Sequence, residues 1–126
     1  MTNSTGLFNV PAAVVSGALQ ASTVQTVSGN SVTPVSGLAP ADTLIFQTDV
    51  TAISGTGATI TVVVQDTIDG TNWFPIATFT AITAVGSQVQ RVTVPHTDQV
   101  RATWTIAGTT PSVTFDVQYY AESKLK

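Results

Sequence analysis

The chain has 126 residues, 43% of them hydrophobic and only 9% charged, with four Lys and Arg against seven Asp and Glu for a net charge of −3. That length holds one domain with its own core, and the scarcity of basic residues excludes a phosphate-binding face and with it nucleic acid. With no cysteine present, disulfides and thiolate metal sites are excluded, and no run approaches the ~18 apolar residues that span a bilayer.

What replaces charge is Thr, Ser, Gln and Asn. A surface of hydroxyls and amides suits close contact with another surface, because few charges need desolvating when it docks. The opening MTNSTGLFNVPAAVV has no positive n-region, and Asn9 and Pro11 interrupt its apolar run, so it does not read as a signal peptide. The absence of disulfides leans toward a protein made in the cytosol.

Residues 1–38 carry no charged side chain, the first being Asp42. A segment this uncharged and β-prone aggregates if left free. It reads either as an extended arm bound to a neighbour or as the first strands of the domain, which occupies 39–126. Within residues 1–38, 7–15 reads as extended and 22–28 as a strand, "SGN" at 28–30 as a turn, and 32–36 as a short strand.

From Thr43 the alternation is clearer. LIFQTDVTAI (44–53) places Leu44, Phe46 and Val50 on one side, and Ser54 to Gly57 reads as a turn. ATITVVVQD (58–66) alternates around Ile60, Val62 and Val64. WFPIATF (73–79) carries Pro75, which cannot donate to a ladder and so marks an edge strand or a bulge. QVQRVTV (88–94) alternates imperfectly, with Val89 out of phase with Val92 and Val94. VRATWTI (100–106) and VTFDVQYY (113–120) match in period and length across the turn AGTTPS (107–112). They are expected to form an antiparallel hairpin with Trp104 near Phe115. No window has convincing helical periodicity. The reading is an all-β chain: a single β-sandwich, jelly-roll or Ig-like, of seven to eight antiparallel strands with an extended N-terminal segment.

The stretch DTIDGTNWF (66–74) concentrates the candidate site residues. Asp66, Asp69 and Asn72 offer oxygens, but the spacing lacks the full calcium-loop pattern and its closing Glu, so no metal is expected. Asp69-Gly70 is a turn pair, with Gly70 supplying a positive φ. The same stretch, followed by VRATWTI, is similar to the arrangement in discoidin-type, galactose-binding-like domains. That resemblance implies sugar binding, with Trp73 or Phe74 stacking on a sugar face and Asp69 and Asn72 bonding its hydroxyls. The single histidine, His96, lies in the turn VPHTDQ near Asp98, and no serine sits in a nucleophile elbow. No catalytic constellation and no cofactor are expected.

Over most of its length the chain resembles another family. The uncharged Val/Thr/Ser-rich start, then TITVVVQDTIDGTNWFPIATF, then QRVTVPHTDQVRATWTIAGTTPSVTFDVQYY, is similar in texture and strand order to the small β-rich virion proteins of tailed bacteriophages. These are capsid decoration proteins and minor head or tail proteins. The resemblance implies a non-enzymatic protein that docks in many copies on a shell. Its implied partners are the major capsid protein or other virion proteins and further copies of itself, a trimer being favoured. It also implies a virion location after synthesis in the host cytoplasm. The sugar-binding module, using Asp69, Asn72, Trp73 and Phe74, and the minor tail protein are the alternatives.

Overall fold

The computed structural model describes residues 13–123. They form six strands and no helix: β1 (Ala13–Gln25), β2 (Gly29–Asn30), β3 (Thr43–Thr67), β4 (Trp73–Thr78), β5 (Gly86–Val92) and β6 (Gln99–Ser123). All belong to one antiparallel sheet of order β1-β6-β3-β4, with β2 added on β6 and β5 on β3. The expected all-β class holds. The strands number six rather than seven to eight because two pairs read as separate are continuous.

The joined pairs are the two 25-residue strands, β3 and β6. Residues 54–57 and 107–112 were expected to reverse the chain. Instead the strands pair from Thr43↔Glu122 to Thr67↔Gln99, and both bend together where the turn signals lie. The expected hairpin of 100–106 with 113–120 therefore does not form, because each half pairs with β3. Trp104 and Phe115 nevertheless meet, edge to face, with ring centroids 5.0 Å apart. On a straight strand residues so spaced lie roughly 36 Å apart, so the ladder is folded back on itself. One sheet thereby makes both layers of a sandwich.

The first layer holds β1, residues 113–123 of β6, residues 43–53 of β3, and β5. The second holds β2, residues 99–107 of β6, residues 59–67 of β3, and β4. Thr51 is an extra residue between the pairs Val50↔Phe115 and Ala52↔Thr114. This bulge shifts the register by one. Buried positions therefore stay even along β3 (Phe46, Val50, Val62, Val64) but change from even to odd along β6 (Ala102, Trp104, then Phe115, Val117). At the fold the chains touch through glycine. A Cβ on Gly55 would lie 2.8 Å from Pro111 Cα, and one on Gly108 would lie 2.8 Å from Ala58 Cα. A single core joins the layers, with Phe46, Phe79 and Phe115 fully enclosed.

The N-terminal readings change more. The strand placed at 22–28 is β1, which runs Ala13–Gln25 along the edge of the first layer and buries Leu19. The described part of the segment read as an extended arm (7–15) therefore lies in the sheet, and residues 1–12 fall outside the described residues. "SGN" is not a free turn: Gly29 and Asn30 pair with Trp104 and Thr103 of β6. Next to them Ser31 is buried and extends the ladder, donating its N–H to Ala102 O (2.8 Å) and accepting Ala102 N–H on Oγ (3.1 Å). The strand expected at 32–36 reduces to the single bridge Val35↔Val100. Pro75 has both consequences expected of it: β4 is the edge of the second layer, and its register slips between Val64 and Gln65. Val89 faces outward while Val92 is buried, as their phases require, but Val94, expected on the side of Val92, lies past the end of β5 and is exposed.

Candidate functional site

The loop 67–72 is closed by its own hydrogen bonds. Asp69 Oδ1 accepts the N–H groups of Thr71 and Asn72, both at 2.8 Å, and Oδ2 accepts Asn72 Nδ2–H at 2.8 Å. Thr67 Oγ1 accepts Gly70 N–H (2.9 Å) and donates to Asn72 O (2.7 Å). The N–H groups of Asn72 and Thr71 hold the Asp69 carboxyl well below the usual carboxylate range. Asp69 thus commits both carboxylate oxygens, and Asn72 its backbone groups and side-chain N–H, to the turn itself.

Asp66 turns the other way. It is buried, and Oδ2 accepts Thr97 N–H at 2.9 Å, tying the end of β3 to the turn before β6. The two aspartates serve different loops. Among the described residues no group of three or more His, Cys, Asp or Glu is placed to hold a metal ion.

Trp73 is half-buried, and the Arg101 guanidinium lies 4.4 Å from its ring centroid. Arg101 Nε donates to Gln65 Oε1 at 3.0 Å, which fixes the guanidinium over the ring. One face of the indole is thereby covered by a cation–π contact. Phe74 projects from the edge strand with 60% of its surface exposed. The structure therefore brings Asp69 and Asn72 together but leaves Trp73 and Phe74 as separate features. Sequence reasoning missed Arg101, whose place over Trp73 follows from the register Gln65↔Arg101 and Thr67↔Trp73.

His96 is part of a turn. Its ring nitrogens face backbone oxygens, Nδ1 at 2.8 Å from Thr97 O and Nε2 at 3.0 Å from Ala41 O, rather than a hydroxyl. Asp98 accepts the N–H groups of Ala39 (3.0 Å) and Gly37 (3.1 Å), which lower its carboxyl. A shallow cleft of about 490 Å³ runs between Thr67–Gly70 and Thr97–Gln99. The two carboxylates that line it, Asp69 and Asp98, are each committed to backbone N–H groups, so the arrangement holds loops together.

The distinctive surfaces lie on the first layer. Three of the sandwich's four edges are blunted: β2 has two residues, β4 contains Pro75, and β5 has seven residues including Arg91. β1 has thirteen residues, none charged, and exposes Val14, Val15 and Val24. Its register with β6 is regular over Ala13–Ala18 and shifts twice beyond. On the outer face, Asp49 and Asp116 are paired directly across β3 and β6. Asp49 accepts Ser87 Oγ–H at 2.6 Å, whereas Asp116 Oδ1 is buried without a hydrogen-bond partner. Desolvation, then the charge of Asp49, pushes the Asp116 carboxyl up. No sequence signal marked this pair, because it arises only when strands 67 residues apart come into register.

No family model matches the chain, and no curated protein matches it. The chain is similar in fold to a solved structure described in the words "Bacillus endospore appendages form a novel family of disulfide-linked pili". The likeness has a TM-score of 0.50 at 14% identity and covers 99% of this chain and 100% of that one. It extends over both layers of the folded sheet. Among the described residues no helix is long and apolar enough to cross a membrane.

Proposed function

We propose that this chain is a non-enzymatic structural subunit that docks in many copies on a phage shell, a capsid decoration protein. Its partners are then the major capsid protein and further copies of itself, and its location is the virion. The observation that carries the reading is the edge of β1: thirteen uncharged residues with exposed valines, beside three edges that are blunted. A strand edge offers main-chain hydrogen bonds to any extended partner. Proteins that remain alone suppress such edges with charge, proline, shortness or bulges, and the regular stretch Ala13–Ala18 of β1 has none of these. The charge-poor exterior supports the same reading, since each contact between copies desolvates few ions.

A second reading, a fibre subunit, is favoured by the fold likeness. The neighbour's description speaks of disulfide-linked pili, and this chain contains no cysteine. A fibre built from it would be held by non-covalent contacts alone.

Quantitative mass spectrometry of purified particles from the native source tests both. Hundreds of copies per virion is the expected result. A handful per virion points to a tail or vertex part, abundance in surface fibres instead selects the second reading, and absence from both overturns the structural-subunit reading.

A further inference from the structure

The outer face of the first layer carries a charge pattern that one copy leaves unresolved. Asp49 and Asp116 oppose each other across the ladder, and the influences acting on Asp116 are desolvation, the charge of Asp49 and a partly offsetting hydrogen bond with the Gln118 side chain, with no basic group among them. Like charges directly opposite one another destabilise a strand pair. The same face carries one exposed basic residue on β5, Arg91, which pairs with Ile45. Asp49 lies four residues further along β3, paired with Ser87, so Arg91 and Asp49 are about 13 Å apart along neighbouring strands. The pair Gln47↔Val89 lies midway between them. Around it are Ile45, Tyr120 and Gln118, lining a depression of about 350 Å³.

This spacing is self-complementary. A two-fold axis through the Gln47–Val89 position exchanges the position of Arg91 with that of the Asp49–Asp116 pair. Two-fold contacts use one patch twice, so each is made in duplicate. We propose that the outer face of the first layer is a docking face for a second copy of this chain, with Arg91 of each copy seated on the Asp49–Asp116 pair of the other. The guanidinium fork suits two adjacent carboxylates, and it answers the repulsion that a lone copy retains. Exposed Val89 and Tyr120, with half-buried Ile45, supply the centre of the contact.

The size of the face sets the strength. Four strands about 4.8 Å apart and roughly nine residues long give about 500 Å² per copy. Burial of about 1,000 Å² in total is at the lower limit of specific interfaces. The isolated pair is therefore weak, of micromolar order, and salt-sensitive. This contact goes beyond the proposed function and is independent of which particle the chain builds.

Sedimentation velocity on the purified chain, across the micromolar range at low ionic strength, tests it. The wild type is expected to enter a monomer–dimer equilibrium that added salt weakens. Arg91→Asp is expected to weaken the dimer about tenfold or more, because each contact then sets an acidic side chain against the Asp49–Asp116 pair, and Asp49→Arg is expected to weaken it less, because Arg91 then meets a site whose two charges cancel. An equimolar mixture of the two variants is expected to dimerise more tightly than either alone, since one contact of the mixed dimer is again Arg91 on an intact Asp49–Asp116 pair and the other sets the acidic group introduced at 91 against the basic group introduced at 49. Circular dichroism checks that each variant is folded, and Asp116→Arg replaces Asp49→Arg if that one is not. A wild type that stays monomeric throughout, variants that dimerise unchanged, or a mixture that fails to recover overturns the proposal. Copy counting in particles reads the structural-subunit role separately, so the two can fail independently.

Discussion

The folded ladder makes a sharp demand on two glycines, and replacing them by alanine measures it. Gly55 has φ 111° and Gly108 has φ 122°, both far from the ordinary L-residue regions. An alanine Cβ at Gly55 would also sit 2.8 Å from Pro111 Cα and Thr110 O, and 2.9 Å from Thr109 O. At Gly108 it would sit 2.8 Å from Ala58 Cα and 3.0 Å from Ala58 N. These are backbone atoms of the partner strand, which cannot retreat without opening the ladder. Strain of about 1–3 kcal/mol adds to overpacking of about 1–3 kcal/mol, a large share of the 5–15 kcal/mol that typically holds a domain. Gly57 is the control: its φ of 66° lies in the left-handed region and nothing lies within 4 Å of its added Cβ. Gly57→Ala should cost only about 1–2 kcal/mol. For a chain of this length each kcal/mol moves Tm by about 4 °C. Thermal and urea unfolding of the three variants should place Gly55→Ala and Gly108→Ala well below Gly57→Ala. Equal losses at Gly55 and Gly57 would refute the close crossing of the strands, and with it the single bent sheet.

Other measurements bear on the loops and the acidic pair. The carboxyls of Asp69 and Asp98 are lowered on folding, so the stability they contribute is present above the ordinary Asp range and is lost as pH falls through their folded values. The double variant Asp69→Asn, Asp98→Asn should flatten the acid side of a Tm-against-pH curve below about pH 4, and an unchanged slope would remove these loops from acid unfolding. Asp116 has the opposite sign: its carboxyl is raised, so its penalty is absent in acid and grows as pH rises through that value. Asp116→Asn should therefore raise Tm at neutral pH and leave it unchanged near pH 3. The sugar-binding alternative predicts glycan-array signals lost in Trp73→Ala. With Arg101 over the indole and Asp69 held within its own turn, the expected array is blank, and reproducible binding lost in that variant would reinstate the alternative.

Alternation of apolar and polar residues was enough to identify the strand segments of β3 and β6 and most of their core, from Leu44 and Phe46 to Phe115 and Val117, whereas β1 was read only at its two ends and its buried Leu19 was missed. Burial of one face follows from the two-residue period, which is a local property. Local chemistry also made the Asp69–Asn72 turn legible, since short polar side chains bond backbone two or three residues away. What the sequence by itself left undetermined was the connectivity of those segments. Glycine-rich stretches at 54–57 and 107–112 are compatible with a reversal or with a bend, and only the partner strand selects between them. Because each stretch lies against the other, both strands continue around the corner and the sheet folds back on itself. The Arg101–Trp73 contact and the Asp49–Asp116 opposition have the same origin. Strand register brings together residues 28 and 67 positions apart, and register is decided by which faces can be buried across the whole fold.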